Sequence, residues 1–151
     1  MGADELRGQI RDAFPAETFG GAITECDCEE CLDIRAGLRN KRWDEIPAAF
    51  LDFTCSPTLL EAEAYRAFLP AYMLRALDNL SEDSVVTEFT VYSLCPHENH
   101  YKGPWLQERV RLMNPYQIEA IRAFLLFAQE HSEEGDWFRP MVARALEEVW
   151  R

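Results

Sequence analysis

Apolar residues recur every three to four positions along most of the chain, which is the spacing of an amphipathic helix. Leu6, Ile10, Ala13 and Phe14 form the first such face, and Pro15 stops it. Residues 15–24 (PAETFGGAIT) read as a loop broken at Gly20-Gly21. Over residues 27–39, Cys28, Cys31, Leu32, Arg35 and Leu38 return to helical spacing. Asp27, Glu29 and Glu30 open that stretch, and Arg35, Arg39, Lys41 and Arg42 close it, a polarity that suits the helix dipole. Trp43 and Ile46 lead into Pro47, and residues 48–53 predict one or two helical turns. Ser56-Pro57 has the form of an N-cap followed by an N1 proline, with Leu59, Leu60, Ala64, Ala67 and Phe68 as the stripe behind it. Pro70 interrupts the periodic run 65–80. A proline there lacks a donor and crowds the carbonyl four residues back, so a kink or two abutting helices is expected.

Residues 84–94 (SVVTEFTVYSL) carry the β-branched and aromatic content of a strand, yet Val85, Phe89 and Tyr92 also fit one helix face. A lone strand needs a partner and none is evident, so a helix is preferred, with a short β element as the alternative. Pro96, Gly103 and Pro104 mark residues 95–104 as a loop. Asn114-Pro115-Tyr116-Gln117 has N-cap, N1 and capping-box residues in order, ahead of a core face of Ile118, Ile121, Leu125 and Ala128. Gly135 closes that region, and Pro140 is read as opening a last helix with Met141, Ala145, Leu146, Val149 and Trp150 on its face. The prediction is an all-α fold, a single compact domain over 1–151 of about six to seven helices.

Composition limits the partners. The chain holds 27 acidic and 15 basic residues, for a net charge of −12. Nucleic acids and anionic membranes both require clustered Lys and Arg, so neither is expected as a partner. With 48% hydrophobic residues the chain has enough apolar surface for a core, which excludes wholesale disorder. The first residues lack the basic and apolar regions of a secretory signal, and no apolar run approaches a membrane span. A soluble, cytoplasmic protein is expected.

The sharpest chemical feature is Cys26-Asp27-Cys28-Glu29-Glu30-Cys31. Cys28 and Cys31 stand at i, i+3 and share a face if helical, and Cys26 is close enough to fold back toward them. Three thiolates at this spacing suit Zn²⁺, which takes four N or S ligands. The loop 95–100 offers Cys95, His97 and His100 for the fourth place, and the expected set is Cys26, Cys28, Cys31 and His97. The neighbouring carboxylates oppose free thiolates and attract a cation, which favours a metal over a reactive nucleophile. The competing reading makes Cys28 and Cys31 core contacts and Cys26 a loop residue, as Cys55 and Cys95 are read. The odd total of five cysteines argues against a disulfide framework. Nucleotide-loop, nucleophile-elbow and HExxH motifs do not occur. The cluster Arg35, Arg39, Lys41 and Arg42 either grips a phosphate or acidic patch or simply stabilises a helix end. Trp137-Phe138 reads as core or as a partly exposed anchor.

Cys28-x2-Cys31, Trp43-x2-Ile46, the segment 64–72 (AYRAFLPAY) and Gln117-x2-Ala120-Ile121-Arg122-Ala123-Phe124-Leu125 together resemble a family of small bacterial proteins of unknown function, over roughly residues 25–130. The resemblance implies a small bacterial cytoplasmic protein and assigns no activity or catalytic residue.

Three functions follow from the residues. The first is a non-enzymatic, acidic interaction module, such as an immunity or inhibitor protein that binds a basic protein partner. The second is a zinc-binding protein with a structural or regulatory cysteine site. The third is a small enzyme using His97 or His100 with a carboxylate.

Overall fold

A computed structural model describes residues 1–54, 57–80, 84–96, 104–132 and 135–151. Among them are eight α-helices: α1 (Ala3–Ala13), α2 (Glu29–Leu38), α3 (Ala48–Phe53), α4 (Ala62–Asp78), α5 (Val85–Ser93), α6 (Trp105–Leu112), α7 (Pro115–His131) and α8 (Gly135–Glu148). Two 3-10 turns, Trp43–Glu45 and Pro57–Leu59, link them, and no strand occurs among the described residues. The all-α expectation holds, with more helices than the six to seven read from the sequence.

α4 is the centre of the fold. Ala64, Tyr65, Phe68, Leu69, Ala71, Tyr72, Met73, Ala76 and Leu77 are all buried, so the helix is apolar nearly all round, as a central helix must be. α1, α3, α5 and α6 pack against it, while α7 packs on α1 and α8. Buried residues from all eight helices join in one cluster. No helix among the described residues is long and apolar enough to cross a membrane.

α5 settles the ambiguous segment. Val86, Thr87, Thr90 and Val91 are buried, the Thr87 hydroxyl donates to the Ala76 carbonyl at 3.2 Å, and Ser93 Oγ lies 2.9 Å from the Tyr65 hydroxyl. Packing along α4 overrides the β-propensity of the sequence. α4 itself runs as one helix through Pro70 rather than as two abutting ones. Pro70 is buried with residues on both sides of it, and that packing outweighs the lost donor. α8 begins at Gly135, so Pro140 lies inside the helix instead of opening it. The pair before it splits: Phe138 is fully buried and Trp137 is 53% exposed. α6 has no counterpart in the sequence reading.

The capping box ahead of α7 closes as its residues predict. Gln117 N donates to Asn114 Oδ1 at 2.8 Å, and Asn114 N donates to Gln117 Oε1 at 3.0 Å. Trp150, beyond α8, is fully buried and its indole N–H donates to the Leu94 carbonyl at 2.7 Å. Arg122 donates to the carbonyls of Trp150 and Leu146, so the last turn is tied to both α5 and α7.

α2 carries the cysteines. It anchors through Ile34 and Leu38, both fully buried, and passes close to α3, where a Cβ at Gly37 would overlap the Phe50 ring.

Candidate metal centre

The cysteine segment is shaped by Arg35. From the middle of α2 its guanidinium reaches back two turns and closes four hydrogen bonds. Nε donates to Thr24 Oγ1 at 2.7 Å, Nη2 to the carbonyls of Thr24 at 2.8 Å and Cys26 at 2.7 Å, and Nη1 to Asp27 Oδ1 at 2.8 Å. Thr24 is buried, and its hydroxyl reaches the Cys31 carbonyl at 3.4 Å. The loop before the helix is thus clamped onto the helix that follows it. Charge-assisted bonds of this kind fix geometry better than neutral ones.

The clamp gathers three sulfurs. The Sγ atoms of Cys26, Cys28 and Cys31 all lie within 4.8 Å of one another. Cys28 takes extended backbone angles at the N-cap position of α2, one residue outside the helix. Its backbone N–H donates to Cys26 Sγ at 3.2 Å. Cys26 and Cys28 are exposed, whereas Cys31, in the first turn, is buried. The reading of Cys28 as a core contact therefore fails: the residue precedes the first helical turn, and its side chain stays in solvent.

The Cys28 and Cys31 thiols are electrostatically unlike. The Cys31 backbone N–H, and then the thiols of Cys26 and Cys31, hold the Cys28 thiol below its ordinary value. Burial, and then the adjacent Cys28, push the Cys31 thiol up to about 11.

The donor set fits a thiophilic metal. A zinc–sulfur bond of about 2.3 Å in a tetrahedral site sets sulfur–sulfur separations of about 3.8 Å, so rotamer adjustments of about 1 Å bring these three sulfurs into place. Asp27, Glu29 and Glu30 are exposed around them and add to the attraction for a cation.

The other expected ligands divide. His97 and His100 lie outside the described residues, as does Cys55. Cys95 is fully buried at the end of α5, its thiol is pushed up to about 12 by burial, and it is not part of the three-sulfur group. It behaves as a small core hydrophobe. The third histidine, His131, is exposed beside Glu130, with its ring tilted on Phe127 at 4.1 Å between centroids. Two surface clefts of about 470 and 250 Å³ lie elsewhere, and neither is lined by a cysteine or a histidine.

Two residues of the site escaped the sequence reading. Thr24 carried no signal. Arg35 stands seven residues after Cys28 and four after Cys31, a spacing that returns it to their helix face, so its role as a clamp was available in the pattern. Within the basic cluster, Arg35 serves the loop and Arg42 pairs with Asp44 at 3.0 Å. Arg109 also differs from its surface-like sequence context. It is buried, stacks on Trp105 at 3.7 Å from the ring centroid, and donates to the carbonyls of Trp105 and Leu60.

No curated protein and no solved structure matches the chain. Residues 3–151, a longer stretch than the segments that carried the resemblance, match the model described as a family of unknown function (DUF6714), and the chain belongs to that family.

Proposed function

We propose that this protein binds a thiophilic divalent cation, Zn²⁺ first among them, through Cys26, Cys28 and Cys31. The observation that carries the proposal is the grouping of three sulfurs within 4.8 Å on a loop that Arg35 already holds in place. Pre-ordering matters because a ligand loop that must first be arranged spends binding energy on its own ordering. His97 or His100 completes the tetrahedron, and a reducing setting such as the cytoplasm keeps the thiols available. The metal's role in this reading is structural or regulatory, since a cysteine-rich donor set saturates zinc instead of activating a water.

The test is metal titration of the reduced, untagged chain with a chromophoric chelator as competitor. The expected result is about one equivalent of Zn²⁺, lost in Cys26→Ser and Cys28→Ser, whose exposed side chains can change without disturbing the core. Binding below about 0.2 equivalents refutes the proposal.

A second reading is supported by how the cations are used. Arg7, Arg35, Arg75 and Arg144 each pair with a carboxylate of the same chain at 2.7–2.9 Å, while a net charge of −12 is left over. An interaction module for a basic protein partner agrees with that surplus. Pull-down from native lysate at low and high salt checks it. A stoichiometric basic protein released by salt supports the reading, and the absence of one at low salt refutes it.

A further inference from the structure

The cysteines of this site differ in a way that metal binding does not require. Cys28 is exposed at the threshold of α2, and Cys31 is buried one turn inside it, with their sulfurs within 4.8 Å. Cys26 precedes the helix, and its sulfur already accepts the Cys28 N–H. A helix turn brings positions i and i+3 to one face, so Cys31 is the natural bonding partner of Cys28. We infer that Cys28 and Cys31 form a thiol–disulfide exchange pair whose substrates are disulfides carried by cationic molecules.

The chemistry balances as follows. Cys28 attacks one sulfur of a disulfide RS–SR′, its thiol proton passing to solvent. A mixed disulfide forms between Cys28 and R′S, and RS⁻ leaves to be protonated. Cys31 then attacks the Cys28 sulfur, gives up its own proton, and expels R′S⁻. The protein is oxidised by two electrons, and RS–SR′ is reduced to two thiols. Exposure leaves the attack to Cys26 or Cys28 and excludes the buried Cys31, and the i, i+3 spacing pairs Cys28 with Cys31 for the second step.

Charge selects the substrate. Glu25, Asp27, Glu29 and Glu30 are all exposed and flank Cys26 and Cys28 in the chain. Among the described residues, Asp27 is the one of these in an ion pair, with Arg35. Leu32, 49% exposed, adds an apolar contact next to Cys31 in sequence. An anionic disulfide such as oxidised glutathione is repelled by this rim, and a dicationic one such as cystamine is drawn to it. The inference stands apart from the metal reading, because exchange needs the thiols and no metal. The two meet in one consequence: bound Zn²⁺ occupies the sulfurs and blocks exchange.

The experiment treats the reduced, metal-free full chain with cystamine or oxidised glutathione and maps the product by non-reducing peptide mass spectrometry. One Cys28–Cys31 disulfide is expected in the wild-type chain and in Cys26→Ser. Cys31→Ser and Cys31→Ala are expected to stop at a mixed disulfide on Cys28. Circular dichroism verifies that each variant is folded, and the wild-type map needs no variant at all. Normalised to N-acetylcysteine, cystamine should react at least about tenfold faster than oxidised glutathione at low salt, with the ratio falling toward one at about 0.5 M salt. A bond to Cys26, an adduct on Cys26 in the Cys31 variants, or equal normalised rates would overturn the inference. A zinc titration of the same reduced sample separates the two proposals: zinc binding without a Cys28–Cys31 bond sinks only the exchange, and the bond without zinc binding sinks only the metal.

Discussion

Arg35 closes four hydrogen bonds with one guanidinium, and every one ends on the four-residue span Thr24 to Asp27. Removing it leaves the cysteines in the sequence but frees the loop that holds Cys26. Outer groups that position metal ligands typically contribute about 10–100-fold to affinity. Arg35→Met, which keeps the aliphatic stem, is therefore expected to weaken Zn²⁺ binding by about that factor while far-ultraviolet circular dichroism stays unchanged. An unaltered dissociation constant would mean that the loop orders itself. The same scale sets a pH dependence. Cys31, at about 11, is a thiol at neutral pH and must lose its proton to bind metal. Affinity should thus fall by at least about tenfold for each pH unit below neutrality, which competition titrations at several pH values can measure.

Between elements, the contact of α2 with α3 turns on one missing side chain. Ala in place of a mid-helix Gly is ordinarily worth about 1 kcal/mol of stability. At Gly37 the added Cβ would overlap the ring of Phe50, and overpacking of that kind costs about 1–3 kcal/mol. The clash outweighs the propensity gain, so Gly37→Ala should lower the urea midpoint, and Gly37→Ala with Phe50→Leu should recover part of the loss. Elements of this fold were readable where the signal was local. The Asn114–Gln117 box fixes the start of α7 by residues that bond to each other, and the face of α1 is a plain periodic stripe that ends at Pro15. They were unreadable where the signal was tertiary. α6 hides because Arg109, charged in sequence, is one of its buried residues, and its partners Leu60 and Tyr65 come from a distant part of the chain. Pro70 misleads for the same reason, since nothing near it in sequence reveals how completely α4 is enclosed. At the cysteines, the spacing exposed the cluster, but not which sulfur faces water, because that depends on where the helix begins.

For the molecule as a whole, buried acids give stability a ceiling in pH. Cys95 is pushed from an ordinary value of 9 to about 12, and the buried Tyr65 hydroxyl is also raised above its ordinary value. The unfolded chain ionises these groups first. Their contribution is complete below pH 9 and is lost as pH rises from there through the folded values. For Cys95 alone the loss is on the order of 4 kcal/mol by pH 12. Urea unfolding across that interval should show a steep decline, shallower in Cys95→Ala. A flat profile would place the thiol in contact with solvent. The overall arrangement also distributes the indoles unequally. Trp43 and Trp150 are buried, each with its N–H bonded to a carbonyl, Trp105 is stacked under a guanidinium, and Trp137 stands at the start of α8 with half its surface in water. A soluble quencher such as iodide therefore extinguishes one emitter ahead of the others. The red edge of the fluorescence spectrum then becomes a private optical signal for the first turn of α8, readable during any titration without a label.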